Sequence, residues 1–264
     1  MFKTLPYKDT TLFYRLTGVG KTVVLLHGFG EDSRIWESQV DFLKNHCRLL
    51  VPDLPGSGKS ALLKSGKPVG MEDYACCIKA ILDKEQIESC IMLGHSMGGY
   101  ITLAFAKKFP AYLTGFGLIH STAFADSEEK KISRSKAIEF LEKFGVGPFL
   151  KNTIPNLFGN HFKNQFPEKI AALIQRGESF SKEALQQYYR AMMERPDYTA
   201  VLKSNGIPVL FVMGTDDIAA PMADVLKQVS LPDISYIYVM PDIGHMSMLE
   251  AGETLNGQLF DFIH

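Results

Sequence analysis

Short apolar runs alternate along the first half of the chain with stretches whose apolar residues recur at helical spacing. The run 22–26 is almost wholly apolar, as is typical of a parallel strand that is buried on both faces. The predicted strands of this half are 11–16, 22–26, 47–52, 90–93 and 113–119. The predicted helices are 32–45, 71–87 and 97–109.

The alternation stops at about residue 121 and resumes at about residue 204. Between these points no strand is predicted, and three helices flank an irregular stretch at 145–162. Those helices are predicted at 127–144, 166–177 and 182–194. Beyond them we expect strands at 207–213 and 235–240 and helices at 221–229 and 246–263.

This order predicts an α/β fold with a mostly parallel central sheet and helices on both faces. The core is expected to comprise residues 1–120 and 204–264, with 121–203 inserted as a helical cap. The cap is expected to cover the carboxyl edge of the sheet, which is where ligands bind in open α/β sheets.

Composition and charge narrow the class of protein. The 264 residues are 46% hydrophobic and 22% charged, which is ordinary for a globular protein. A net charge of −1 gives no electrostatic reason to expect nucleic acid or an anionic membrane as partner. We expect no secretory signal and no membrane insertion, four reduced cysteines, a cytoplasmic location, and a monomer or homodimer. The cysteines are Cys47, Cys76, Cys77 and Cys90.

The segment Gly94-His95-Ser96-Met97-Gly98 lies between a predicted strand and a predicted helix. Such a turn is sharp and strained, so its flanking positions must be small, and glycine meets that need. The serine is thereby held clear of the sheet, where amide groups at the start of the helix favour negative charge. Ser96 is therefore the predicted nucleophile.

A second motif, His27-Gly28-Phe29-Gly30, follows the apolar strand 22–26. Together with the turn around Ser96 it makes the chain resemble the α/β-hydrolase superfamily, in the serine hydrolase, esterase-like branch that carries a helical cap. The resemblance implies that the backbone N–H groups of Phe29 and Met97 form an oxyanion hole. It also implies a structural role for His27, and packing beside the nucleophile for His95.

The resemblance also implies the two partners of the nucleophile. His245 stands in a Gly-His-x-x-x-x-Glu setting after the last strand, and it follows Ser96 in the order that this fold requires. Asp217 fits the pattern Gly-x-x-Asp-x-x-x-Pro. The neighbouring carboxylates Asp216 and Asp242 are expected to have structural roles.

No metal or cofactor site is expected. The acidic, histidine and cysteine residues have no metal-ligand spacing. The loop Asp53-Leu54-Pro55-Gly56-Ser57-Gly58-Lys59-Ser60 lacks the glycine spacing of a phosphate loop and resembles a loop-shaping element of the family.

These features predict a hydrolase that cleaves an ester-like bond in a small apolar molecule, either a carboxylic ester, a thioester or a lactone. His120, Phe158 and Met246 are candidates for the lining of its pocket. The same triad of serine, histidine and aspartate also occurs in carbon–carbon bond hydrolases, in perhydrolases and in a menaquinone-pathway lyase. It also occurs in small-molecule receptors that turn over slowly, and all these alternatives remain open. For the lyase, Arg34 and Arg195 are the candidates to bind a carboxylated substrate.

Overall fold

The computed structural model describes residues 1–64 and 66–264, which form one eight-stranded sheet with helices on both faces. The strands are β1 (Phe2–Tyr7), β2 (Thr10–Thr17), β3 (Thr22–Leu26), β4 (Arg48–Asp53), β5 (Cys90–His95), β6 (Leu113–Ile119), β7 (Val209–Gly214) and β8 (Ser235–Met240). Their order across the sheet is β1-β2-β4-β3-β5-β6-β7-β8, and only the pairs that involve β2 are antiparallel. The predicted mostly parallel α/β fold is confirmed.

The helices of the described residues follow the predicted positions in the first half of the chain. They are α1 (Glu37–Leu43), α2 (Met71–Lys84), α3 (Met97–Lys108), α4 (Glu128–Phe144), α5 (Val146–Thr153), α6 (Asn160–Gln165), α7 (Pro167–Gly177), α8 (Lys182–Met193), α9 (Thr199–Lys203), α10 (Met222–Leu226), α11 (Ser247–Glu250) and α12 (Gly252–Ile263). Short 3-10 helices occur at Ser33–Trp36, Pro110–Tyr112 and Ile154–Leu157. No described helix has the length and apolar character needed to cross a membrane.

The central strands are continuous apolar runs because helices cover both faces of the sheet. Every residue of β3 and of β7 is buried, as is every residue of β5. Burial of such side chains contributes about 25 cal/mol for each Å² of apolar surface removed from water. The four cysteines carry free thiols, and three of them are buried.

Several parts of the chain differ from the sequence-based expectation, among them α9, which lies where no helix was predicted. The N-terminal strand β1 was not predicted, since its side chains alternate between exposed and half-buried positions and carry no strong apolar signal. The stretch 145–162, predicted to be irregular, contains α5, a 3-10 helix and the start of α6. The helix predicted at 246–263 is divided into α11 and α12 at Ala251.

The helical segment between β6 and β7, residues 121–203, packs against the loops at the carboxyl edge of the sheet. The Tyr188 hydroxyl lies 2.7 Å from Ser57 Oγ and donates to the Pro55 carbonyl at 2.8 Å. The His245 backbone N–H donates to the Leu157 carbonyl at 2.6 Å. These contacts hold the segment on the edge of the sheet where the predicted site residues lie.

Candidate active site

The carboxyl ends of five neighbouring parallel strands bring together the residues predicted from sequence. The strands lie in the order β3, β5, β6, β7, β8. The residues at or just beyond their ends are, in the same order, Gly28, Ser96, His120, Asp217 and His245. The topology thus gathers loops that are far apart in sequence at one edge of the sheet.

Ser96 stands between the end of β5 and the start of α3 with a backbone φ of 51°, in the left-handed region. Few non-glycine residues adopt this region without a functional or structural reason. A side chain at Gly94 would collide with the backbone of Gly98, and one at Gly98 would collide with the carbonyl of Leu26. Both glycines are therefore required by close backbone approach, as the sequence predicted.

The turn after β3 passes directly beside the nucleophile. A Cβ built on Gly28 would lie 3.2 Å from Ser96 Cβ. Within the described residues, the backbone N–H groups of Phe29 and Met97 donate to no protein acceptor. Two free amide donors beside a serine are what an oxyanion hole requires.

His245 and Asp217 are in direct contact. The distance from His245 Nδ1 to Asp217 Oδ2 is 2.8 Å, and both side chains are buried. Asp217 Oδ1 accepts the backbone N–H groups of Ala219 at 2.8 Å and Ala220 at 2.9 Å. The carboxylate thus orients the imidazole and is itself fixed by its own loop. Between Ser96 Oγ and His245 Nε2 there is no hydrogen bond in the described part of the chain, and such contacts often tighten only when substrate binds.

His120 makes an additional contact with the same carboxylate. Its Nδ1 lies 3.0 Å from Asp217 Oδ2, and the residue has a left-handed φ of 50° and no exposed surface. Its Nε2 has no partner among the described residues. Burial lowers the pKa of His120 to about 4, so the ring is neutral and donates its Nδ1–H to Asp217.

The charge state of Asp217 follows from these donors. Burial alone would raise the pKa of Asp217, but its attraction to His245 and the hydrogen bonds from His120 and His245 hold that pKa well below its usual value. Asp217 is therefore an ionised carboxylate at every physiological pH. Its cluster with His120 and His245 has the ligand types of a metal site, but 2.8 and 3.0 Å are hydrogen-bond separations between atoms already paired with each other.

A second buried carboxylate, Glu31, contacts the histidine that precedes the nucleophile. Glu31 Oε2 is 3.0 Å from His95 Nδ1 and accepts the Gly28 N–H at 2.7 Å. The other ring nitrogen of His95, Nε2, lies 2.9 Å from the backbone carbonyl oxygen of His245. The His95 and His245 ring centroids are 4.8 Å apart.

The remaining predicted residues near the site have structural contacts. His27 Nε2 accepts the Leu54 N–H at 2.9 Å, and its Nδ1 therefore donates to the Gly28 carbonyl. Asp53 accepts the backbone N–H groups of Ser33 at 2.9 Å and Lys59 at 2.8 Å, which shapes its loop. Both arrangements agree with the structural roles that the sequence suggested.

The rival carboxylates lie away from the imidazole of His245. Asp216 is half-buried and accepts a long hydrogen bond from the backbone of Asn160, whereas Asp242 is exposed. Neither forms a hydrogen bond to a histidine within the described part of the chain. Of the three candidate acids, only Asp217 meets the geometry of an orienting carboxylate.

Glu250 is a site-supporting residue that we did not single out from sequence. Its Oε2 accepts the N–H groups of Gly159 at 2.8 Å and Gly244 at 3.1 Å, and its Oε1 accepts that of Met246 at 3.0 Å. Burial raises the pKa of Glu250. Glu250 thus ties the loop of His245 to the helical segment. Its place in the Gly-His-x-x-x-x-Glu pattern was a usable signal, but the pattern did not state its partners.

The three predicted pocket residues His120, Phe158 and Met246 are buried, with at most 2% of their surface exposed. Phe29, which follows Gly28 in the turn beside Ser96, belongs to a group of aromatic side chains. Its ring stacks on Tyr189 at 4.3 Å between centroids and meets the edge of Phe149 at 6.1 Å. The sequence analysis did not single out Tyr189, because its position in the helical periodicity of α8 is that of a core residue.

Known proteins are similar over nearly the whole chain. It is 29% identical to the dihydrolipoyllysine-residue acetyltransferase component of an acetoin cleaving system from Pseudomonas putida, over 95% of this chain but only 66% of that protein. It is 28% identical to a 2-hydroxy-6-oxononadienedioate/2-hydroxy-6-oxononatrienedioate hydrolase from Paraburkholderia phymatum, over 97% of this chain and 91% of the relative.

The chain is also similar to solved structures. A thermophilic esterase from Thermogutta terrifontis, determined with malate bound, superposes with a TM-score of 0.92 at 28% identity and covers 100% of this chain and 98% of its own. These similarities support the expected hydrolase class. The model of the alpha/beta hydrolase fold family matches residues 21–252, and this protein belongs to that family.

Proposed function

We propose that this protein is a serine hydrolase that cleaves an ester-like bond in a small apolar substrate, namely a carboxylic ester, a thioester or a lactone. The observation that carries the proposal is the 2.8 Å contact between His245 Nδ1 and Asp217, placed beside the strained turn of Ser96. Such a carboxylate fixes the tautomer in which Nε2 of the histidine is free to accept a proton.

The reaction proceeds in two acyl transfers. Ser96 Oγ attacks the carbonyl carbon and its proton passes to His245 Nε2, while the Phe29 and Met97 N–H groups stabilise the oxyanion. His245 then returns the proton to the leaving alkoxide or thiolate, and an acyl-enzyme remains. Water attacks the acyl carbon, its proton passes to His245, and the collapse of the intermediate returns a proton to Ser96 Oγ as the acid leaves.

Residues 121–203 act in this proposal as a cap that selects the substrate. Phe149 and Tyr189 of this segment contact Phe29, so the walls nearest the oxyanion hole are aromatic. Pockets with apolar walls and few polar groups favour small uncharged acyl or aryl groups. Cleavage of a short acyl ester or lactone fits these walls better than cleavage of a highly charged substrate.

The test is hydrolysis of p-nitrophenyl butyrate by the wild-type chain and by Ser96→Ala, with Ser179→Ala as the control at an exposed serine. We expect Ser96→Ala to lower kcat/KM by at least about 10⁴-fold, because nothing replaces the nucleophile. The control should keep wild-type activity. Equal activity of the two variants would contradict the proposal.

A carbon–carbon bond hydrolase is the second candidate, because one relative of 28% identity carries the name of a dioate hydrolase. A panel of an ester, a thioester, a lactone and a vinylogous 1,5-diketone separates the two. The diketone should be the poorest substrate if the ester proposal holds. A receptor would bind a small molecule tightly and turn over every member of the panel very slowly.

The charges near the site weigh against a dianionic or lyase substrate. The predicted carboxylate-binding residues are already paired: Arg34 with Asp32, and Arg195 with Asp126 at 2.8 Å. An arginine whose guanidinium is engaged by a buried carboxylate offers less to an incoming one. These two ion pairs favour the apolar ester over the lyase reaction.

A further inference from the structure

Two buried side chains beneath the nucleophile, Glu31 and His95, connect three separate loops. Glu31 accepts the N–H of Gly28 in the oxyanion turn, His95 precedes Ser96 in its turn, and His95 Nε2 contacts the backbone carbonyl of His245. His95 has no exposed surface and Glu31 is 6% exposed. The oxyanion turn, the nucleophile and the base loop thus share one small hydrogen-bonded cluster.

The donors and acceptors in this cluster fix its charge. A backbone carbonyl oxygen can only accept, so His95 Nε2 must carry a proton to bond to His245 at 2.9 Å. Glu31 Oε2 already accepts the N–H of Gly28 at 2.7 Å, and it bonds best to a second donor on His95 Nδ1 at 3.0 Å. With both nitrogens protonated, the ring is an imidazolium and Glu31 is its counter-ion.

The surrounding charges agree with this state. Burial opposes the charge on both groups, but the attraction between them raises the pKa of His95 and lowers that of Glu31. The other titratable groups that face the pair are His245 and His120, whose rings lie 4.8 and 6.1 Å from that of His95, together with Asp217 and His27.

We propose that Glu31 and His95 form a permanently charged, buried ion pair that positions the oxyanion turn, the nucleophile and the base loop relative to one another. Both are positioning residues, since neither needs to touch the substrate. The positioning role rests on the proposed function, whereas the charge of the pair does not.

The charge of His95 can be measured without any activity assay. Two-bond ¹⁵N–¹H correlation spectra of ¹⁵N-histidine-labelled wild-type protein report the protonation of each ring nitrogen, and the spectrum of His95→Asn assigns the His95 signals among the seven histidines. We expect both His95 nitrogens to remain protonated above about pH 6.5, where an ordinary histidine loses its charge. A His95 ring that becomes neutral at or below about pH 6.5 would overturn the proposal.

The role of the pair is tested by Glu31→Gln, which keeps the shape of the side chain and removes its charge. His95 should then become neutral in the same spectra, because no counter-ion stabilises the imidazolium. We expect kcat for p-nitrophenyl butyrate to fall about 10-fold with little change in KM, because misplaced donors weaken stabilisation of the transition state.

The matched control is Glu37→Gln, because Glu37 is an exposed glutamate whose carboxylate pairs, among the described residues, only with Arg15. It should change neither the spectra nor the kinetic constants. An unchanged kcat in a folded Glu31→Gln variant would overturn the positioning role. If Ser96→Ala retained full activity, the serine mechanism would fail while the spectra still decided the charge of His95.

Discussion

The candidate site contains two buried carboxylate–histidine pairs, and they differ in what the second ring nitrogen of the histidine contacts. In the Asp217–His245 pair, His245 Nε2 forms no hydrogen bond within the described residues. In the Glu31–His95 pair, Nε2 is bonded to a backbone carbonyl. A nitrogen without a partner can take up and release a proton during a reaction, whereas a nitrogen held by a carbonyl keeps its proton. The same two residue types can therefore act in proton transfer in one pair and in positioning in the other.

The two carboxylates also differ in where their hydrogen-bond donors lie along the chain. From the part of the chain that the structure describes, Asp217 accepts four hydrogen bonds, two from histidines and two from the backbone of its own loop. From the same residues Glu31 accepts two, one from His95 and one from Gly28 in another loop. Asp217 is thus fixed locally and orients its histidine, while Glu31 joins parts of the chain that are distant in sequence.

Asp217→Asn tests the role of the first pair and is expected to have the largest effect on activity. An amide in place of the carboxylate turns an N–H toward His245 Nδ1, which favours the wrong tautomer and leaves the imidazolium of the transition state without a counter-ion. We expect kcat for p-nitrophenyl butyrate to fall by about 10³- to 10⁴-fold with little change in KM. Steady-state kinetics at a fixed pH measure this effect.

Asp216→Asn is the matched control, because Asp216 is the adjacent residue and, within the described residues, its side chain accepts a hydrogen bond only from the backbone N–H of Asn160. It should retain activity within a factor of about three, as expected of a surface substitution away from the reacting atoms. A larger loss of activity in Asp216→Asn than in Asp217→Asn would mean that Asp216 is the orienting acid. The proposed difference between the two carboxylate–histidine pairs would then be wrong.

His120 is a further difference between the two pairs. It is a second histidine that contacts Asp217, and its ring stays neutral. Between pH 6.5 and its folded-state pKa of about 4, the unfolded chain binds a proton at this position and the folded chain does not. The free energy of unfolding therefore falls as pH decreases through this window. The difference amounts to about 3 kcal/mol at pH 4 relative to pH 7.

His120→Asn isolates this contribution. The asparagine amide can donate to Asp217 as the ring does, it tolerates the left-handed backbone, and it does not titrate. Urea unfolding at both pH values should give a wild-type loss about 3 kcal/mol greater than that of the variant. Identical pH dependence of the two proteins would mean that folding does not lower the pKa of His120.

The fold and the principal site residues could be predicted because their causes are local in sequence. The buried strands β3 and β5 are short apolar runs, and the turn of Ser96 needs glycines at fixed spacing. His245 and Asp217 stand in short patterns at the ends of strands. Each of these features is visible within about ten residues of chain, as for most periodic signals.

What the sequence did not predict depends on distant partners. The contacts of Glu31, His120 and Glu250 form only when loops from different strands meet at one edge of the sheet. The helix α5 lies in a stretch interrupted by glycine and proline, and it is stabilised by burial of Phe149 and Leu150 rather than by propensity. Tertiary packing therefore decided both the missed helix and the missed partners.

Glu250 is a third kind of carboxylate, one that no histidine contacts in the described residues. Its substitution is expected to have the smallest effect. Its three acceptor contacts are all to backbone N–H groups, at Gly159, Gly244 and Met246. Glu250→Gln replaces one acceptor oxygen by an NH₂ group, so at least one buried N–H loses its partner. This should lower the free energy of unfolding by about 1 kcal/mol and the Tm by about 2–4 °C.

Thermal unfolding of Glu250→Gln and of Glu253→Gln, an exposed glutamate in the first turn of α12, provides the comparison. The Glu253 variant should unfold at the wild-type temperature. Because Glu250 holds the base loop against the helical segment but leaves the Asp217–His245 contact intact, kcat/KM should fall by less than about 10-fold. A loss as large as that of Asp217→Asn would instead place Glu250 among the groups that orient His245, and a carboxylate with only backbone partners would then be as important as one with histidines.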